Sequence, residues 1–116
     1  MDELVRAVLA FRDERVWKQF HNAKDLAISI TLEAAELLEH FQWKNPAEVE
    51  AFLAEADNRR RLGAEMADIL ILLLSLADAA GLDLLEAARA KLQANAEKYP
   101  VERVRGSAKK YDEVAS

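Results

Sequence analysis

Four carboxylates at matched spacing are the residues of this sequence best suited to chemistry. Glu33 and Glu36 stand three apart, and so do Glu65 and Asp68. On a helix, residues three apart are neighbours, about 5–6 Å apart at Cβ. Each pair also breaks an apolar stripe, which runs Leu26, Ile30, Glu33, Leu37, Phe41 in one segment and Leu62, Glu65, Ile69, Leu72, Leu76 in the other. An unpaired charge on a core-facing stripe is costly, so an ordinary packing helix would carry leucine at positions 33 and 65. If the two helices pack antiparallel, the four acids converge. At an effective dielectric near 20, each like-charged pair about 5 Å apart repels by about 3 kcal/mol. Such a cluster needs cations or protons. All-oxygen donors select hard metals, Mg²⁺ first and Mn²⁺ second. In a chain with 21 acids, one such pair is most simply a solvated face, but two pairs, each set into an apolar stripe, favour a site. A di-iron carboxylate bundle would use Glu-x-x-His motifs, and neither pair is followed by His in that place.

The complement to an acidic metal site is a set of donors for an anion. Lys91, Asn95 and Lys98 fall at i, i+4 and i+7 on one stripe with Leu84 and Ala88, and Tyr99 joins the adjacent stripe of Leu85 and Leu92. Two cations and an amide on one stripe suit phosphate oxygens. Arg105, Ser107, Lys109, Lys110 and Tyr111 extend that donor set into the C-terminal segment. Taken alone, a basic edge at a helix C-terminus is merely favourable to the helix dipole, and a terminal basic run is a solvated tail. The aromatics form a third component. Trp17, Phe20, His21 and Trp43 flank the first acid segment at its two approaches, and a planar base stacks on such rings for about 1–3 kcal/mol. The blander account makes these rings packing residues, His21 a loop hydrogen-bonder, and His40 structural.

The elements that must position these groups are helical. Hydrophobic residues make up 52% of the 116, while Gly (3) and Pro (2) are scarce, which favours an all-α chain over a sheet. Apolar spacing at Leu4, Val8 and Phe11, with Val5 and Leu9, predicts a first helix over 2–15. Residues 16–22 read as a loop. A second helix, capped by Asn22 or Asp25, runs to about Phe41. Pro46, after an Asn45 cap, opens a short helix to about residue 56. Asn58 begins a longer one that reaches Ala80 and stops at Gly81, and Asp83 caps a last helix ending near Lys98, before Pro100. The expected architecture is a four-helix-bundle-like subunit of about five helices, one domain over 1–100, followed by an irregular tail over 101–116. The all-round apolar run Ile69–Leu74 predicts burial by more than one neighbour, hence a homo-oligomer.

Charge and composition exclude several functions. A net charge of −5 argues against gripping polymeric nucleic acid through its phosphates. With no cysteine, there are no disulfides, cysteine metal sites or cysteine nucleophiles. The acidic start Met1-Asp2-Glu3 lacks the features of a signal peptide, and the run Ile69–Leu76 is about half the roughly 20 residues a bilayer needs. A soluble, cytoplasmic protein without membrane contacts is expected.

Five segments together resemble a known family. They are Trp-Lys-Gln-Phe-His (17–21), Glu-Ala-Ala-Glu-Leu-Leu-Glu-His-Phe-Gln-Trp (33–43), Glu-Met-Ala-Asp-Ile-Leu (65–70), Lys-x-x-x-Asn-x-x-Lys-Tyr-Pro-Val (91–101) and Arg-Gly-Ser-Ala-Lys-Lys-Tyr (105–111). In this order, over nearly the whole chain, they resemble the MazG-like all-α nucleoside triphosphate pyrophosphohydrolases, and within them the dCTP pyrophosphatase branch. The resemblance implies Mg²⁺-dependent hydrolysis of a (deoxy)nucleoside triphosphate to monophosphate and pyrophosphate, a homotetramer, and a role in cleaning the nucleotide pool. It makes Glu33, Glu36, Glu65 and Asp68 the metal ligands. Lys91, Asn95, Lys98, Tyr99, Arg105, Ser107 and Lys110 become the phosphate donors, and Trp17, His21 and Trp43 the base pocket. Glu36 is the acid expected to take the proton from water. Val8 and Leu72 depart from a histidine and a tyrosine that similar animal enzymes carry near the ligand, which bears on base and sugar preference. The alternatives are the same chemistry on dUTP or another triphosphate, and a non-catalytic helical module whose acid pairs meet the run Arg59-Arg60-Arg61 of another chain.

Overall fold

The computed structural model describes residues 2–101, and every regular element among them is helical. In chain order these are α1 (Asp2–Glu14), a 3₁₀ turn (Lys18–Phe20), α2 (Ala23–Glu39), α3 (Pro46–Ala54), α4 (Ala56–Ala80) and α5 (Leu84–Lys98). The chain forms two compact units, Met1–Gly81 and Leu82–Ser116. In the first, α4 is the hub, and α1, α2 and α3 all pack against it. The described helix of the second is α5. No helix among the described residues is long and apolar enough to cross a membrane.

Helix ends follow from local chemistry. The Asn22 side chain accepts the Asp25 N–H at 2.9 Å and is the cap of α2. Asn45 caps α3 with Pro46 at its first position, as the sequence predicts, and Glu48 completes a reciprocal capping box with Asn45. Asp83 caps α5 by accepting the Glu86 N–H at 3.0 Å. Gly81 ends α4 at φ +69°, a left-handed conformation that glycine adopts without Cβ strain.

Two boundaries differ from expectation. α2 stops at Glu39 rather than Phe41, because its last turn tightens: the His40 and Phe41 N–H groups bond to Leu37 O and Leu38 O, and Lys44 Nζ covers His40 O at 2.6 Å. α4 begins at Ala56, two residues before Asn58. Asn58 instead turns its amide back onto Phe52 O at 3.0 Å, and Arg59 donates to Leu53 O and Ala54 O. These side chains satisfy the last carbonyls of α3, the groups any helix C-terminus leaves open.

The two interrupted stripes are the inward faces. Leu26 is 4% exposed, and Ile30, Glu33, Leu37 and Phe41 are half-buried, as are Leu62, Glu65, Ile69, Leu72 and Leu76. Leu74, Ser75 and Ala77 complete the buried core of α4. On α1 the predicted apolar positions divide, with Val5, Val8 and Leu9 half-buried. Leu4 and Phe11 are exposed, and the buried residue is Arg12. Its Nη1 donates to Asp78 Oδ2 at 2.7 Å and its Nε to Asp13 Oδ1 at 2.9 Å, so a guanidinium rather than a phenyl ring fastens α1 to the end of α4. Burying a charge is tolerable when it is paired and hydrogen-bonded in this way.

Candidate active site

The first unit brings three of the predicted acids together. One oxygen each from Glu33, Glu36 and Glu65 lies within 4.8 Å of the others. α2 supplies the first two from successive positions on one side of the helix, and α4, packed against it, supplies the third. Asp68, one turn beyond Glu65, is exposed and is not among them. Glu33 and Glu65 are half-buried while Glu36 is exposed, so the trio opens to solvent on the Glu36 side.

Electrostatics follow from that crowding. The charge of Glu33, reinforced by hydrogen bonds shared with Glu65 and Glu33, holds the Glu36 carboxyl above its ordinary value. Crowding against two other acids disfavours the charged form of Glu36. Glu65 has a further partner, since His40 Nε2 lies 2.6 Å from its Oε2, with the two side chains 17% and 19% exposed. His40, expected to be structural, therefore touches the acid group itself. The donor set fits a divalent hard cation: three oxygens in reach of one another, no sulfur, and a mutual repulsion that a cation would relieve.

The other predicted residues are distributed around the fold. Trp17 is 44% exposed and meets Phe11 edge-on at 5.8 Å, while Arg15 lies 3.6 Å over the Phe11 ring. Val16 just before it has φ +56°, a strained conformation for a β-branched residue, and its carbonyl accepts from Gln19 at 3.1 Å. His21 is half-buried, and its Nδ1 is buried with no hydrogen-bond partner among the described residues. Trp43 is 87% exposed. These rings stand at opposite ends of the 17-residue α2, which spans about 25 Å at 1.5 Å per residue. Lys91, Asn95 and Lys98 are exposed on α5, followed by the half-buried Tyr99, all in the second unit. Arg105, Ser107, Lys109, Lys110 and Tyr111 lie outside the described residues.

Sequence reasoning missed Arg12 and the role of His40. A signal existed for the second, since His40 follows Glu36 by four residues and so shares its side of α2. The run Arg59-Arg60-Arg61 is engaged locally. Arg59 covers the end of α3, Arg60 pairs with Asp57, and Arg61 donates to Asn58 Oδ1 at 2.8 Å.

A family model described as MazG-like matches residues 28–114. The chain is 37% identical to dCTP pyrophosphatase 1 of Rattus norvegicus over 98% of its own length and 67% of that protein's, and 34% identical to dCTP pyrophosphatase 1 of Homo sapiens over the same shares. Among solved structures, a pyrophosphatase from Archaeoglobus fulgidus superposes with a TM-score of 0.75 at 42% identity, covering 86% of this chain and 92% of that one.

Proposed function

We propose that this chain, which belongs to the MazG-like family, acts with Mg²⁺ on dCTP or a modified dCTP, releasing the monophosphate and pyrophosphate. It is a nucleoside triphosphate pyrophosphohydrolase; the base, the sugar and the ion are the finer part of the proposal. One observation carries the site: three carboxylates from two helices lie within 4.8 Å of one another, two of them at positions where a packing helix would place leucine.

Glu33, Glu36 and Glu65, together with Asp68 one turn further along α4, would hold Mg²⁺, or Mn²⁺ in its place. Bound there, the ion supplies charge neutralisation for the phosphates and a lowered pKa for a water molecule. Glu36 takes the proton of the water that attacks the α-phosphorus in line. The new P–O bond forms as the bond to pyrophosphate breaks. Glu36 suits this task because it is the exposed member of the trio, and its carboxylate, with its pKa held above the ordinary value by its neighbours, is a stronger base than an isolated glutamate. Lys91, Asn95, Lys98 and Tyr99, with Arg105, Ser107 and Lys110, are proposed to receive the phosphates. Trp17, His21 and Trp43 are proposed to receive the base. Because roughly 25 Å of helix separates the ends that carry them, one base meets both sets only when two copies of the chain face each other. Exposed Ile28, Leu32 and Leu38 on α2 and Met66, Ile71 and Leu73 on α4 support such a homo-oligomer, a tetramer in the first instance.

A panel of nucleoside triphosphates assayed for pyrophosphate tests the proposal. dCTP should be turned over best with Mg²⁺. Preference for dUTP or another base would move the substrate within the same chemistry, and release of orthophosphate would contradict the reading. The local engagement of Arg59, Arg60 and Arg61 weighs against the non-catalytic module, which needs those charges for another chain.

A further inference from the structure

A carboxylate that is to bind a cation has to be aimed. Among the described residues, Glu65 is the one member of the trio bonded to a nitrogen-bearing side chain, His40 Nε2, at 2.6 Å. That imidazole is itself held on several sides. Its ring lies 5.5 Å from the Phe52 ring of α3 and 6.2 Å from that of Phe41, and Phe41 and Phe52 meet edge-on at 5.7 Å. Lys44 fixes the backbone below by donating to His40 O at 2.6 Å, with its Nζ 5.0 Å over the Phe52 ring. The end of α2, α3 and α4 thus converge on one histidine, whose Nε2 meets a proposed ligand. A helix-joining ion pair has no need of a ring so tightly held, whereas an oriented ligand does.

We propose that His40 is a positioning residue of the carboxylate site: by occupying Oε2 of Glu65 it fixes that carboxylate toward Glu33 and Glu36. The inference rests on the pyrophosphohydrolase reading above and assigns a further residue to it. Held on one oxygen by His40, Glu65 loses the side-chain rotation it would otherwise have to give up on binding a cation. Phe52 and Lys44 act one step further out, through the imidazole.

The test is calorimetric titration of Mn²⁺ alone into the full chain, wild type against His40→Leu, His40→Gln and His40→Asn. Glutamine places an amide N–H near the position of Nε2, and asparagine falls short of Glu65. Outer partners of metal ligands typically govern about 10–100-fold in affinity. His40→Leu and His40→Asn should therefore bind Mn²⁺ about 10–100-fold more weakly, and His40→Gln should recover most of the loss. In turnover, kcat at fixed Mg²⁺ should fall in the Leu and Asn variants with KM for the nucleotide little changed, and excess Mg²⁺ should restore it. Wild-type Mn²⁺ affinity in His40→Leu, or in His40→Asn should the leucine variant fail to fold, would overturn the proposal, as would a glutamine variant no better than asparagine. A wild-type chain that releases no pyrophosphate sinks the function proposed above. An active wild type matched by its His40 variants sinks only this inference.

Discussion

In the proposed mechanism Glu36 is the residue on which the chemistry turns, and its environment makes two measurable demands. Without metal, Glu33 and Glu65 hold its carboxyl above the ordinary value of 4.5. The folded state therefore binds this proton more tightly than the unfolded chain. The stabilisation is complete below about pH 4.5 and is lost as pH rises through the raised value. Thermal melts of metal-free protein should show wild type losing stability relative to Glu36→Gln between acid and neutral pH, because the amide removes the repulsion. The same variant with Mg²⁺ should lose turnover by about 10²–10⁴-fold, the usual worth of a general base. A Glu36→Gln protein that is fully active, or that melts in parallel with wild type at every pH, would remove Glu36 from this role. The acid pairs were legible from spacing alone, because i, i+3 geometry is local. Spacing puts His40 on the acid side of α2, but the partners of His40 and Arg12 were not legible, since they lie 25 and 66 residues away and no periodicity encodes such a meeting.

At the scale of elements, sequence chemistry located five helices and most of their caps. It misplaced two ends for a common reason: side chains from the following segment, Lys44 in one case and Asn58 with Arg59 in the other, satisfy the last carbonyls of the helix before them. Nothing in a residue's type says that it will reach backwards. The short α3 matters more than its nine residues imply, because it presents Phe52 to His40 and Phe41. Asn45→Ala removes the capping box that starts it and should cost about 1 kcal/mol of stability, measured as a shift in the denaturant midpoint. Its activity loss should be small and should follow the loss of folded protein. An unchanged midpoint would mean that packing alone sets the start of α3.

For the whole molecule, the acidic balance and the acidic site belong together. In the proposed mechanism a chain of net charge −5 meets its polyanionic substrate through a cation, so metal removal should separate activity from fold. Chelation should abolish turnover while far-UV circular dichroism keeps its helical form, because Leu26, Leu74 and Ala77 bury their side chains without any ion. Restoring Mg²⁺ to 100 times its dissociation constant should add about 2.7 kcal/mol to stability. A chelated protein that still hydrolyses nucleotides would end the metal reading. Trp43 carries a separate consequence. With only two tryptophans in the chain, one 87% and the other 44% exposed, the intrinsic fluorescence comes from water-facing indoles and should be red-shifted. A base that stacks on Trp43 would quench or blue-shift that emission, so the protein carries its own optical gauge of occupancy, readable without a label and before any bond is broken.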